Sequence, residues 1–345
     1  MDRGKIAAIT GDIKNAVFNY GDILGKYITE NKVQLSGYIY PLIPPEITSA
    51  FGIESVKLPE SLITGEKKLS SEKSLYKAVI VPEAEMPCCH LNFSDITVHR
   101  VNYPCGYGED AAVQLHNETA TMFNSLFGIN LKSIDISELQ KKTMIFENLR
   151  RSVRSITSLY QDRKGALTPE ELDFVFEASA IFPPDFALKL ITPLLEELQI
   201  YQAEHREYRA KALIYGAAKI PPAIIDFIEN SGIDVIEDDT CRGRRLFDIS
   251  LNAESEYIFY ELLDAYSYRA MSPCTRKVEE RYELLYRLLR NYGINLLIFY
   301  RDDLCDVTSE AVSYLRIRCM RDGIDPLVID RENFKEAVDD YTGRM

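Results

Sequence analysis

Apolar positions along this chain follow two rhythms. Runs such as "LYKAVIVP" (75–82), "DITVHRV" (95–101), "AKALIYGA" (210–217), "IDVIEDD" (233–239), "INLLIFY" (294–300) and "DPLVID" (325–330) are short, nearly continuous and rich in β-branched residues. That is the pattern of strands buried on both faces. Between them, apolar residues recur every three or four positions, which predicts amphipathic helices. Residues 5–32 read as a helical lead-in. The stretch "SGYIYPLIPPEITSAFGIESVKL" (36–58) reads as a strand, a proline-started helix and a second strand. Pro44 and Pro45 suit a helix start, and Glu46 complements its positive end. From 108 to about 204 the pattern is helical, broken at "RKGALTPEEL" (163–172) and "IFPPDF" (181–186). Thr168 there is an N-cap followed by an acidic first turn.

After residue 206 strands and helices alternate: helix "PPAIIDFIENSG", a long helical stretch over about 252–291, then helices over 307–322 and 331–342. Alternation of this kind means parallel sheets covered on both faces. The expected fold is therefore α/β: two Rossmann-like α/β/α domains, 1–205 with a helical lead-in and a helical insertion, and 206–345. No short-period repeat is evident.

Composition narrows the chemistry. The 345 residues are 46% hydrophobic and 27% charged, with a net charge of -13, which fits a globular chain and argues against nucleic acid as partner. No apolar run nears the roughly 20 residues that span a bilayer, and the polar N-terminal stretch predicts no signal peptide, so the cytosol is the expected location. The basic clusters "RRSVRS" (150–155) and "CRGRR" (241–245) read as a solvated helix face and a solvated loop. Seven cysteines without a CxxC pair, and four histidines without HExxH spacing, disfavour both a disulfide framework and zinc. The chain lacks a GxxxxGKS/T phosphate loop, a GxGxxG after a strand and a GxSxG elbow.

In open α/β sheets ligands sit beyond the carboxyl ends of strands. Three reactive stretches fall there: "PCCH" (87–90), "DDTCRGRR" (238–245) and "RDDLCD" (301–306). Cys305 at such a point is packing, nucleophile or metal ligand. Cys88 and Cys89 raise the same choice, and thiolates select iron–sulfur clusters or zinc. Cys319, inside a helix, reads as packing.

Three segments, in order, carry a resemblance: residues 37–58, residues 212–247 ending in D-D-x-C-x-G-x-R, and residues 281–330 with C-D after the strand. Over roughly 34–342 the chain resembles the 2-hydroxyacyl-CoA dehydratase family, which includes benzoyl-CoA reductase subunits and D-component-type 2-hydroxyglutaryl-CoA dehydratase subunits. The resemblance implies two α/β domains with a [4Fe–4S] cluster between them. Its last ligand falls on Cys305 and its middle one on Cys89 or Cys88. The first ligand position, four residues before Pro44, holds Tyr40, so Cys88 and Cys89 together, or Cys105, would have to restore three thiolates. The resemblance further implies an acyl-CoA substrate, a homologous partner subunit and an ATP-dependent iron–sulfur activator protein that delivers one electron, forming a ketyl that expels the neighbouring hydroxyl. Glu46 matches the family's P-x-E glutamate, a site residue. Arg242, Arg244 and Arg245 could meet coenzyme A phosphates. The alternative is a subunit that has lost its cluster and acts as structural partner of a cluster-bearing one. An anaerobic cytosol is expected in the first case.

Overall fold

The computed structural model describes residues 3–63, 72, 74–83, 96–103, 108–162, 165–202, 208–216, 220–240, 243–269, 278–301 and 309–345. Its first half begins with α1 (Arg3–Phe18) and α2 (Tyr20–Asn31). These lead into β1 (Gln34–Tyr38), α3 (Pro45–Ala50), β2 (Ile53–Lys57), α4 (Glu60–Ile63), β3 (Tyr76–Pro82) and β4 (Val98–Val101). Four helices follow: α5 (Glu109–Met122), α6 (Ile136–Asp162), α7 (Pro169–Ile181) and α8 (Pro184–Ile200). The second half runs β5 (Ala210–Tyr215), α9 (Pro222–Asn230), β6 (Ile233–Asp239), α10 (Ile258–Arg269), α11 (Val278–Tyr292) and β7 (Leu296–Tyr300). It closes with α12 (Ser309–Arg321), β8 (Asp325–Ile329) and α13 (Phe334–Thr342).

The described strands form two four-stranded, wholly parallel sheets, ordered β2-β1-β3-β4 and β6-β5-β7-β8. Both halves thus repeat one topology, as the expected pair of α/β/α units requires. The inner strands β3 and β7 are buried at nearly every position. Edge strand β6 alternates buried and half-buried residues, because only one of its faces is fully covered. Four apolar clusters fill the two faces of each sheet. In the first half, α1, α6, α7 and α8 cover one face, with Leu149, Val153, Ile156 and Tyr160 forming the inward stripe of α6.

The other face is covered in a way the sequence did not suggest. Ile258, Leu262, Leu263 and Tyr266 of α10 pack there with Leu115 and Met122 of α5, against Ile80 and Val101 of the first sheet. The chain therefore leaves the second sheet after β6, straps the first, and returns. Of the helical stretch expected over about 252–291, the described residues form α10 and α11, and 252–257 are not helical. Asn252 Oδ1 accepts the Glu254 N–H at 3.2 Å and Ser255 Oγ accepts the Tyr257 N–H at 3.1 Å. Such local bonds compete with helix, so α10 starts only at 258.

At the head of α7 the expected cap is a full capping box. Thr168 Oγ1 accepts the Glu171 N–H at 3.2 Å, and the Glu171 carboxylate accepts the Thr168 N–H at 2.7 Å. Arg3 and Thr10 of α1 donate to the same carboxylate at 2.5 and 2.8 Å, so the cap also fastens the lead-in helix. Burial works against the charge. The bonds from Arg3, the Thr168 N–H and Thr10 outweigh it and hold the Glu171 carboxyl below its ordinary value of 4.5. A group depressed in the folded state stabilises above its ordinary value, and that stabilisation is lost as pH falls through the folded one. Denaturant titration of Thr168→Ala is expected to lose about 0.5–2 kcal/mol at neutral pH. Glu171→Gln is expected to flatten the stability profile below pH 4.5 relative to the parent.

Candidate functional site

The strand order places a topological switch point between β1 and β3 in one sheet and between β5 and β7 in the other. Tyr40 and Glu46 follow β1. The segment with Cys88 and Cys89 follows β3, and the segment with Cys305 follows β7, so each thiol-bearing segment leaves the third strand of its sheet. Cys88, Cys89, Cys105, Cys305 and Arg242 themselves lie outside the described residues. The halves also share a local sequence: "IPPEI" (43–47) opens α3 and "IPPAI" (220–224) opens α9, each proline-started and each following the first strand of its unit. Ala223 thus stands where the first half has Glu46. This local likeness was readable in the sequence and agrees with the two-unit architecture expected from the alternation of strands and helices.

Glu46 is fully buried. Its Oε1 accepts from Arg150 Nη1 at 2.5 Å and from the Tyr266 hydroxyl at 3.3 Å. Arg150 Nε donates to Glu147 Oε2 at 3.3 Å, and Glu147 Oε1 accepts from Arg154 Nη2 at 2.6 Å. Arg154 Nη1 then donates to the carbonyls of Phe247 and Ile249 at 2.7 and 2.8 Å. An ion-pair chain thus runs along α6 from α3 of the first half to the segment leaving the second sheet. Burial opposes the Arg150 charge, yet Glu46 and Glu147 hold its pKa above the ordinary arginine value. Burial and the Glu46 carboxylate push the Tyr38 and Tyr266 hydroxyls up, so both stay protonated. The Tyr103 hydroxyl donates to the Tyr266 carbonyl and anchors α10 beside the site. Glu46 Oε2 and Arg150 Nη2 are buried with no hydrogen-bond partner among the described residues, leaving one acceptor and one donor.

Two expectations change here. The "RRSVRS" run is not a solvated face: Arg150 is 3% exposed and Arg154 is half-buried, because both follow the inward stripe of α6 at i, i+4. Glu46 is more than a dipole partner of its six-residue helix, since a guanidinium takes its charge directly. Arg150 and Tyr266 were missed by sequence reasoning; the signal for Arg150 was Glu147 three residues before it on one face. Tyr40 is 2% exposed and packs with Leu42, Ile43 and Ile47.

Arg244 and Arg245, after β6, are likewise not solvated. Asp239 Oδ1 accepts from Arg245 at 2.6 Å and Oδ2 accepts from Arg281 at 2.8 Å, while the Arg281 guanidinium lies 5.2 Å over the Tyr215 ring. Arg244 pairs with Glu237 at 3.0 Å and Asp248 at 3.7 Å. Asp238 accepts the Thr240 hydroxyl at 2.8 Å and the Arg244 N–H at 3.4 Å. A Cβ on Gly243 would stand 2.0 Å from Asp238 Oδ1, which is why glycine occupies that position. Burial pushes the Asp238 carboxyl up despite those bonds, and pushes Glu237 up against the pull of Arg244. The described residues of the D-D-x-C-x-G-x-R motif, Asp238, Asp239, Gly243 and Arg245, therefore brace their own segment.

Among the described residues no cluster of three or more His, Cys, Asp or Glu is arranged to hold a metal ion, and no helix is long and apolar enough to cross a membrane. Cys319 packs inside α12, its thiol pushed up to about 12 by burial. Arg150→Met leaves Glu46 buried without its cation and Glu147 with Arg154 alone, and is expected to cost about 3–5 kcal/mol in denaturant titration, with a smaller loss when measured in the Glu46→Gln background. Gly243→Ala, which must displace Asp238, is expected to cost about 1–3 kcal/mol by the same measurement.

No curated protein matches the chain. A family model, 2-hydroxyglutaryl-CoA dehydratase, D-component, matches residues 86–345, which takes in all of the second sheet and α5 to α8, and leaves Tyr40 and Glu46 just upstream. With the greater part of its length matched and two like-ordered parallel sheets as its frame, the chain belongs to the 2-hydroxyglutaryl-CoA dehydratase D-component family.

Proposed function

We propose that this protein is a subunit of an iron–sulfur 2-hydroxyacyl-CoA dehydratase or benzoyl-CoA-reductase-like enzyme, catalysing radical dehydration or reduction of an acyl-CoA. It works with a homologous subunit and takes electrons from an ATP-dependent activator protein, in an anaerobic cytosol. The observation that carries this reading is topological: the thiol-bearing segments 84–95 and 302–308 follow corresponding strands, at the switch points of two like sheets. Family membership supports it.

The donor chemistry fits an iron–sulfur group only through the thiols. Cys305 and Cys89, with Cys88 or Cys105 as the third, are the proposed ligands of a [4Fe–4S] cluster; the buried phenol of Tyr40 is not a thiolate and is assigned no bond to iron. When bound, such a cluster supplies Lewis acidity and one-electron chemistry. The chain's own polar groups do the orienting. Arg150 Nη2 donates to the thioester carbonyl, and Glu46 Oε2 accepts from a hydroxyl or holds the proton that leaves. Tyr266 keeps the other carboxylate oxygen fixed. Of the three arginines considered for coenzyme A phosphates, Arg242 retains that assignment, because Arg244 and Arg245 are already paired with carboxylates.

Tyr40 carries a second reading. Its burial in an apolar cluster at the first-ligand position favours a cluster-free structural partner of a homologous subunit.

Anaerobic purification with the partner subunit, followed by iron and sulfide analysis, separates the two. The first reading expects about four irons per chain, lost in Cys305→Ala; iron at trace level after reconstitution supports the second and sinks the first. Glu46→Gln is expected to keep its iron while turnover falls by about 100-fold or more.

A further inference from the structure

A buried guanidinium in the second half has less to hold than Arg150 has in the first. Arg281 lies in the first turn of α11 and is 1% exposed. It reaches the carboxyl ends of two neighbouring strands. Its Nη2 donates at 2.8 Å to Oδ2 of Asp239, the last residue of β6. Its Cζ stands 5.2 Å over the ring of Tyr215, the last residue of β5. Asp239 gives its other oxygen to Arg245 at 2.6 Å, so Arg281 holds one oxygen of a shared carboxylate. Glu279 and Glu280 precede Arg281 on α11, where successive positions point about 100° apart, and among the described residues its ion pair is with Asp239. Nε and Nη1 of Arg281 are buried with no hydrogen-bond partner among the described residues. Arg150, by contrast, pairs with two carboxylates, Glu46 and Glu147.

A buried donor left unmatched is costly, and more so on a charged group, so two of them on one side chain need a reason. Bracing the segment after β6 accounts for Nη2 alone. The place supplies another. Tyr215 and Asp239 end adjacent strands beside the switch point between β5 and β7, where open α/β sheets take their ligands. A guanidinium there selects an oxyanion. Charge decides which one. Asp239 already answers part of the single positive charge, and taking a dianion out of water costs more than taking a monoanion. A carboxylate satisfies that limit and a phosphate monoester does not. The Tyr215 ring covers one face of the guanidinium, which leaves its N–H groups to be met in their own plane, as carboxylate oxygens do.

We infer that Arg281 is the receptor of a carboxylate-binding site at the carboxyl end of the second sheet, taking a small aliphatic or aromatic monocarboxylate. The site is built from β5, β6 and α11, none of which carries Glu46 or Arg150. The inference stands independently of the acyl-CoA reading.

Ligand-observed NMR titration of the full chain tests this without iron, thioester or turnover. The probes are acetate, benzoate and inorganic phosphate, each at the same ionic strength. Acetate or benzoate is expected to bind saturably, at least about tenfold tighter than phosphate. Arg281→Met is expected to abolish that binding. Asp239→Asn removes the acceptor that competes for the guanidinium and is expected to tighten it about tenfold, which a purely structural role for Arg281 would not do. Arg281→Lys keeps the charge without the planar donors and is expected to weaken it. Circular dichroism identifies the folded variants, and any one of them decides the matter together with the parent. Four results overturn the inference: no saturable binding of either carboxylate to the parent, phosphate bound as tightly, binding kept in a folded Arg281 variant, or binding unchanged or weakened in folded Asp239→Asn.

Discussion

The ion-pair chain along α6 is the constraint on which the rest of this structure depends. Four charged side chains, Glu46, Arg150, Glu147 and Arg154, lie in or beside a core that would reject any one of them alone. Together they are neutral, and each end of the chain is fixed to a different half of the molecule. Buried charges of this kind add little net stability compared with apolar packing, but their hydrogen-bond directions admit one arrangement. The position of α3, and so of Glu46 at the first switch point, follows from where α6 holds Arg150. Helix α6 is a single element of 27 residues, about 40 Å long.

A second set of buried charges does the same for the other sheet. Asp239 joins Arg245 of its own loop to Arg281 of α11, and Asp238 closes over Gly243. Residue types that invite a phosphate-binding interpretation are here consumed by shaping the loop. The distinction cannot be drawn from spacing alone, since an arginine facing solvent and one facing a buried aspartate carry the same letter.

The strands were legible because a strand buried on both faces has to be apolar almost throughout, as β3 and β7 are. The Thr168 cap was legible because its chemistry is local. What escaped were long-range choices. Arg150 looked like part of a surface charge run until the inward stripe of Leu149 and Val153 was fixed in space. Tyr266 reaches Glu46 across 220 positions of sequence, and nothing local announces it. The break before α10 was hidden by an apolar rhythm that continues on either side of Asn252 and Ser255. As for the candidate site, the place of Glu46 at a proline-started helix was legible and the resemblance marked it as a site candidate, while the guanidinium that pairs with it was not legible.

The strap formed by α10 has a consequence for how the protein comes into being. One face of the first sheet is covered by α5 together with Ile258, Leu262, Leu263 and Tyr266, the last four translated only after β5 and β6. A nascent chain that has just completed α8 still lacks the α10 part of that cover. Domain-by-domain folding during synthesis, the usual route for chains of this size, cannot complete the core of the N-terminal half until α10 has emerged, because α5 and its neighbours cover only part of that face.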